Sequence, residues 1–280
     1  MRYFISLLLP YFLAMTPLCH IFSRDAPASN GSGNEIPDLI TDRPDQTESA
    51  EVVPLFTLQV ETGIFHEWVE KGMDTYIINT DFGGTLLRFG FHRILEARLG
   101  TGVKQTRAKV PGAEQDELHG MAPLSLGLKA KLLRERGFIP DLAFIAGYRI
   151  PDTGHPKYAS GHLGQTYVLA FAHTLPGDAG LGYNLGFEQE GPELKIFTYS
   201  LVLGFAATEK TGLFLETYGN STWLRDNDVW YRRPWDARVD AGLTFLVRSN
   251  FQLDISGGLG ISDIAPRGFI SGGFSWRIPH

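Results

Sequence analysis

The sequence predicts an all-β protein, a transmembrane antiparallel up-and-down β-barrel of about 12 strands preceded by a polar N-terminal segment. Three observations support this fold class. Apolar and polar residues alternate with period two over long stretches, mid-strand charges keep to one parity, and most short connections alternate with longer ones. Lipid contact enforces such segregation, because an Arg or Lys facing lipid at the bilayer midplane costs about 2–4 kcal/mol.

The first element is an apolar run that resembles a secretory signal peptide. Arg2 precedes the run from Tyr3 to Leu18, so we expect a cleavable signal over residues 1–23, without a clear cleavage motif. An N-terminal membrane anchor and a lipoprotein modified at Cys19 are the alternatives. If Cys19 is removed, the mature chain holds no cysteine for disulfides or thiolate metal sites.

Residues 24–54 form the second element, which is polar and without sustained periodicity. Its acids Asp42, Asp45 and Glu48 are of a type that binds Ca²⁺, but their spacing matches no EF-hand loop and Arg43 stands among them. We therefore expect a periplasmic segment, or a plug that enters the barrel and pairs with inward-facing basic residues. The predicted partners of the acids are Arg88, Arg98, Lys129 and Arg149.

Residues 55–280 form the third element, the predicted outer-membrane barrel. In one clear strand Phe251, Leu253 and Ile255 share a face, opposite polar neighbours. Strands are expected at 55–66, 81–91, 95–106, 122–133, 141–150, 163–175, 180–189, 194–207, 212–220, 235–247, 250–262 and 268–278. The charged residues expected in the lumen or plug are Asp42, Arg43, Asp45, Glu48, Glu61, Arg88, Glu96, Arg98, Lys129, Lys131, Arg149, Arg238 and Asp240.

Composition and motifs limit the chemistry. The net charge is −6 and no long basic block appears, so no nucleic-acid partner is expected. No GxSxG, Walker, HExxH or zinc-ligand spacing occurs, and the His-Ser-Asn-Gly run of outer-membrane phospholipases is absent. We therefore predict no catalytic residues, no cofactor and no metal site.

A family resemblance rests on the stretch LITDRPDQTESAEVVPLFTLQVETGIF, Leu39 to Phe65. It is most specific at Thr41–Ser49 and Gln59–Gly63, and it resembles the start of the outer-membrane transporter family described as "putative MetA-pathway of phenol degradation". The resemblance implies a β-barrel in the outer membrane of a Gram-negative bacterium that takes up organic compounds. Its implied partners are the lipid bilayer, the outer-membrane assembly machinery and small organic solutes. One departure is the C-terminus, which ends on His280 rather than on an aromatic residue.

The functional prediction is passage or binding of small organic molecules by a transporter or porin-like barrel. One alternative is a structural or surface-binding barrel with a closed lumen. An outer-membrane lipid hydrolase is a third hypothesis, and a soluble periplasmic barrel is the alternative fold. The sequence names no substrate.

Overall fold

The computed structural model describes residues 39–70, 72, 75–109, 116–159 and 161–279. The predicted signal peptide lies outside them, as do the first residues of the polar segment. Within the described residues, none forms a helix long and apolar enough to cross a membrane. The strands are β1 Leu58–Glu70, β2 Tyr76–His92, β3 Leu95–Lys109, β4 Asp116–Met121, β5 Ser125–Leu133, β6 Asp141–Arg149, β7 Gly164–Leu175, β8 Ala179–Glu190, β9 Leu194–Ala206, β10 Thr211–Asp226, β11 Val229–Arg232, β12 Asp236–Arg248, β13 Phe251–Gly260 and β14 Gly268–Ile278.

All neighbouring strands pair antiparallel, and the sheet closes on itself because β1 pairs with β14 from Leu58↔Ile278 to Trp68↔Gly268. Two strands of the barrel are each interrupted and so consist of two segments. Both β4 and β5 pair with β3, and both β11 and β12 pair with β10. Counting each such pair as one strand leaves the closed 12-stranded barrel that the sequence predicts.

Proline explains the position of both interruptions. Pro123 lies between β4 and β5, and Pro234 lies between β11 and β12. Proline has no N–H to donate to the ladder, so it is excluded from the interior of a paired strand. The short pieces β4 and β11 lie at the end of the barrel that carries the longer connections, such as those between β6 and β7 and between β13 and β14, here called the long-loop end.

The connection between the predicted strands 212–220 and 235–247, which was expected to be one of the longer loops, is instead a tight hairpin. Asn227 and Asp228 have φ values of 46° and 65°, which fits the two-residue turn that matches strand twist. A second connection at the same end, from Gly191 to Glu193, is also short. The expected alternation of connection lengths therefore holds for only part of the barrel.

The two faces of the wall are inverted relative to a soluble protein. Outward residues such as Leu215 and Leu259 are 59% and 63% exposed, as expected for a belt that contacts lipid. The largest fully buried side chains are polar or charged: Arg88, Lys129, Gln59, Glu61, Glu96, Glu216 and Ser275. Trp276 and Ile278 of β14 lie on the outward face near the C-terminus.

Candidate functional site

A segment of the chain crosses the inside of the barrel before β1 begins. Residues 39–54, here called the strap, first contact β1 and β13. The side-chain amide of Gln59 donates to the Ile40 carbonyl at 2.8 Å, and that of Gln252 donates to the Thr41 hydroxyl at 3.1 Å. Both donors belong to inward positions of their strands. The strap therefore begins against this part of the lumen wall.

The strap then reaches the opposite wall and returns. The Gln46 N–H donates to Glu216 of β10 at 2.7 Å, and the Thr47 hydroxyl donates to Ser200 of β9 at 2.7 Å. On the return, the Val53 N–H donates to Glu96 of β3 at 2.8 Å. Because its contacts lie on opposite sides of the barrel, the strap spans the lumen.

Asp42 is the centre of the largest ionic cluster. Its carboxylate lies 2.7 Å from Arg98, 3.1 Å from Arg88 and 3.1 Å from Lys129. It also accepts hydrogen bonds from the backbone and hydroxyl of Ser49 at 2.9 and 2.7 Å. Burial alone raises the pKa of Asp42, but the charges of Arg88, Lys129 and Arg98 hold it well below its ordinary value. Asp42 is therefore a carboxylate that neutralises buried cations of the wall.

The wall supplies further acids to the same cluster. Arg88 lies 2.9 Å from Glu61 and 2.9 Å from Glu96, and Arg98 lies 3.1 Å from Glu96. Their register explains the grouping, because Arg88 is directly opposite Arg98 on β3 and Gln59 on β1. Inward residues of adjacent strands are thus stacked side by side where the strap lies.

Two other strap acids contact basic residues. Glu48 approaches Arg98 at 2.7 Å and Lys129 at 4.0 Å. Glu51 pairs with Lys131, which also lies 2.6 Å from Asp141 at the start of β6. These pairs join the return half of the strap to β3, β5 and β6.

Arg43 joins the strap to the other side of the seam between β1 and β14. Its guanidinium lies 2.9 Å from Asp254 of β13 and 3.3 Å from the Ser271 hydroxyl of β14. Gly63 and Gly273 make room for it, since a Cβ at either position would overlap the guanidinium. A Cβ would also overlap a strand carbonyl, that of Gly272 at Gly63 and that of Thr62 at Gly273, so glycine fits the approach of both Arg43 and the neighbouring backbone.

A group of acids without a nearby basic partner lies against the middle of the strap. Glu216 of β10 is directly opposite Asp240 of β12. Asp240 is 3% exposed and neither carboxylate oxygen has a hydrogen-bond partner among the described residues. Burial raises the pKa of Asp45 well above its ordinary value, and the charges of Glu216 and Asp240 add to this increase. Among the described residues, no group of three or more His, Cys, Asp or Glu is placed to hold a metal ion.

Two sequence-predicted site residues lie away from the strap cluster. Arg149 pairs with Glu190 at 3.0 Å, and Arg238 pairs with Asp236 at 2.7 Å and with Glu67 at 2.8 Å. These three ion pairs lie towards the long-loop end of the lumen. Arg149, expected as a partner of the strap acids, is instead engaged with the wall.

The sequence interpretation missed several wall residues that hold the strap. Glu216, Asp254, Ser200 and Asn184 contact it, the last through a pair of hydrogen bonds with the Glu48 backbone at 2.6 and 3.0 Å. Their only sequence signal is the polar parity within a strand, which they share with many residues that make no such contact.

Two spaces of unequal size lie on either side of the strap among the described residues. On the long-loop side a cavity of about 570 Å³ has Asp42, Arg43 and Glu48 at its floor and Lys104 and Arg149 on its walls. On the short-turn side a pocket of about 110 Å³ lies between the strap and small or apolar wall residues, which include Ala172, Gly182, Val202 and Phe214. A solute that crossed the barrel would therefore meet the strap between the two spaces.

Comparisons with solved structures give the following likenesses. An outer membrane channel from Pseudomonas putida F1 superimposes with a TM-score of 0.68 at 11% identity, over 82% of this chain and 98% of that one. The NanC porin gives 0.47 at 8% identity, over 78% of this chain and 98% of that chain. The translocator domain of the autotransporter NalP from Neisseria meningitidis gives 0.49 at 12% identity, over 78% and 88%.

At 11% identity the likeness to the Pseudomonas channel shows the fold alone, which is that of an outer-membrane β-barrel, and this fold implies a lipid bilayer around the outward face. A comparison with curated protein sequences found no match. The family signature covers residues 41–278, which includes most of the strap and the whole barrel. The chain belongs to the family described as "Putative MetA-pathway of phenol degradation".

Proposed function

We propose that the protein is a channel in the outer membrane of a Gram-negative bacterium, and that it passes small organic molecules through the lumen. The observation that carries this proposal is the cavity of about 570 Å³ that reaches from the long-loop end to the strap. A space of this size is within the range of small-molecule sites. The strap is then the constriction that a solute must pass or displace.

The polar interior supports passage of solutes that carry hydrogen-bonding or charged groups. The cavity wall presents Lys104 and Arg149 together with Asp81 and Glu190, so both signs of charge face the solute. Mixed charges give weak selectivity between anions and cations. Passage rather than catalysis is proposed because most charged groups beside the strap are engaged in ion pairs that hold it.

Export and insertion complete the proposal. A signal peptide over residues 1–23 would direct export, and the assembly machinery of the outer membrane would insert residues 55–280. Both termini of an even-stranded barrel lie on one side, so in this proposal the chain enters the lumen from the periplasm, the side of the short turns.

Liposome swelling tests this function directly. Proteoliposomes that contain the full protein are diluted into isosmotic solutions of neutral organic solutes of graded size, with empty liposomes as the control. We expect swelling that slows as the solute grows. A rate equal to that of empty liposomes for every solute, with the protein shown to be inserted, would instead favour the alternative of a closed structural or surface-binding barrel. Release of fatty acids from the same liposomes would favour the lipid hydrolase.

A further inference from the structure

The outward face of the barrel carries an aromatic and basic patch at the long-loop end of β9, β10 and β11. The alternation of β10 defines the two faces: Glu216 points to the strap, so Leu213 and Leu215 lie on the lipid side. Pairing of β10 with β9 and with β11 shows no register shift. Trp223 and Arg225 therefore share the outward face with the lipid-facing leucines.

The register brings two cations to the two sides of one tryptophan. Trp223 is directly opposite Lys195 on β9 and directly opposite Arg232 on β11. Adjacent strands are about 4.8 Å apart, so the two basic side chains begin about 10 Å from each other on one face. Both are long enough to converge on a single anionic group between or above them.

Both cations make cation–π contacts with tryptophan rings. The Lys195 ammonium lies 4.5 Å from the centre of the Trp230 ring, and the Arg232 guanidinium lies 5.6 Å from the centre of the Trp235 ring. Trp235 in turn meets Tyr199 edge to face at 5.8 Å. Cation–π contacts orient a cation without neutralising it, so both charges are left for an external partner.

The charges of this region separate by face. The strand-borne carboxylates at the long-loop end of β8, β10 and β12 all fall on the inward parity: Glu188, Glu190, Asp226 and Asp236. The outward parity carries Lys195, Arg225 and Arg232. Of these, only Arg225 has a carboxylate partner within the described part of the chain, Asp228 in the turn at 2.7 Å. The patch is therefore a cationic surface on the outside of the barrel.

The patch lies at the height expected for the membrane–water interface. Leu213 and Trp223 are separated by ten residues, or about 33 Å along a strand. With a tilt of about 40° this becomes about 25 Å, the usual height of the apolar band of an outer-membrane barrel. Lys195, Trp223 and Arg232 thus lie where lipid head groups begin, the level that tryptophan favours.

We propose that this patch binds the phosphate groups of a phosphorylated glycolipid of the outer leaflet, with Lys195 and Arg232 on the phosphate and the aromatic rings against its sugar and upper acyl chains. Arg matches phosphate with a fork of donors, and Lys adds a point charge. The inference rests on the proposed placement of the long loops at the cell surface, but not on transport. A protein partner is the competing occupant, and the test separates the two.

The experiment measures binding of bisphosphorylated lipid A to the purified full-length protein in detergent, beside the same lipid with its phosphates removed. We expect wild-type protein to bind the bisphosphorylated form at least tenfold more tightly, with the preference weakened by added salt. Lys195→Gln/Arg232→Gln should lose that preference. Lys157→Gln/Arg267→Gln, which removes two cations at the same end of the barrel but away from the patch, should keep it.

Equal binding of both lipids by wild-type protein would overturn the proposal, and so would full retention of the preference by Lys195→Gln/Arg232→Gln. An equal loss in the control pair would show a general charge effect and would also overturn it. If the double variant fails to fold, judged by heat-modifiable gel mobility, the wild-type lipid comparison and the single Arg232→Gln variant decide. Swelling rates are measured in parallel, so failure of the channel function is seen separately.

Discussion

Asp42→Asn is the substitution that tests most sharply how the strap is held. It removes one negative charge while keeping the size of the side chain. The carboxylate faces Arg98, Arg88 and Lys129 at 2.7 to 3.1 Å, and the side chains of these three cations are at most 8% exposed. At an effective dielectric constant of about 20, each pair is worth about 5 kcal/mol before desolvation is counted.

The net free-energy cost of Asp42→Asn is smaller, and it depends on the acids that remain beside each of the three cations. Arg88 keeps Glu61 and Glu96, and Arg98 keeps Glu96 and Glu48. Among the described carboxylates, Lys129 keeps only Glu48 within 4.0 Å. Removing one partner of a buried pair costs about 3–5 kcal/mol, and the retained acids place Asp42→Asn at the lower end. About 3 kcal/mol changes the ratio of docked to undocked strap by roughly 100-fold.

The assay is single-channel recording in planar bilayers. We expect Asp42→Asn to open more often, or to a higher conductance, than wild-type protein. Asp263→Asn removes an exposed loop carboxylate and serves as the matched control, with no expected change. If Asp42→Asn has the same opening frequency and conductance as the control and also unfolds at the same temperature, the reasoning about the ionic cluster is refuted.

Three further predictions concern the strap and its surroundings. Gly63→Ala should displace the Arg43 guanidinium and crowd the Gly272 carbonyl, cost about 1–3 kcal/mol and increase channel opening. Gly147→Ala, whose Cβ would lie 3.5 Å from its nearest neighbour, should have none of these effects. Asp45 has a raised folded-state pKa, so its stabilising contribution is full below its ordinary value of 3.8 and is lost as pH rises through the raised value. Asp45→Asn should therefore gain thermal stability relative to wild-type protein as pH rises; a difference that stays constant from pH 4 to pH 8 would contradict this. Lys131→Met should lower the unfolding temperature because Glu51 and Asp141 lose their shared cation, and an unchanged temperature would show that this pair contributes nothing.

Period-two alternation made the barrel predictable from sequence. Phe251, Leu253 and Ile255 lie on the outward side of β13, as that pattern indicates, because each strand residue faces either lipid or lumen. The same rule gave the inward parity of Glu61, Arg88 and Lys129. These are local properties, and a single sequence contains them.

The errors in the strands and loops expected from the sequence also have local causes. The turn at Asn227-Asp228 sits among charged residues, so it resembled a solvated loop, although both residue types tolerate the positive φ values that a two-residue hairpin requires. Pro123 and Pro234 interrupt strands that continue beyond them. Turn chemistry, given more weight than polarity, would have found the hairpin.

The strap partners that the sequence interpretation missed, such as Asp254 and Glu216, lay beyond it for a different reason. Arg43 meets Asp254 across 211 positions, and Gln46 meets Glu216 across 170. Strand alternation limits which residues face the lumen, but it does not give the height at which the strap crosses. The sequence therefore placed Arg149 on the inward face, but it could not show that this residue lies too far along the lumen to reach the strap.

The conductance of the full protein and of a variant that lacks residues 39–50, recorded in the same bilayer, tests the central claim most directly. Removal of these residues takes away Asp42, Arg43, Gln46, Thr47 and Glu48, and with them most contacts that cross the lumen. We expect the shortened protein to show a larger and steadier conductance than the full protein. Equal conductance and equal thermal stability of the two would contradict the assignment of the strap as the constriction of a channel.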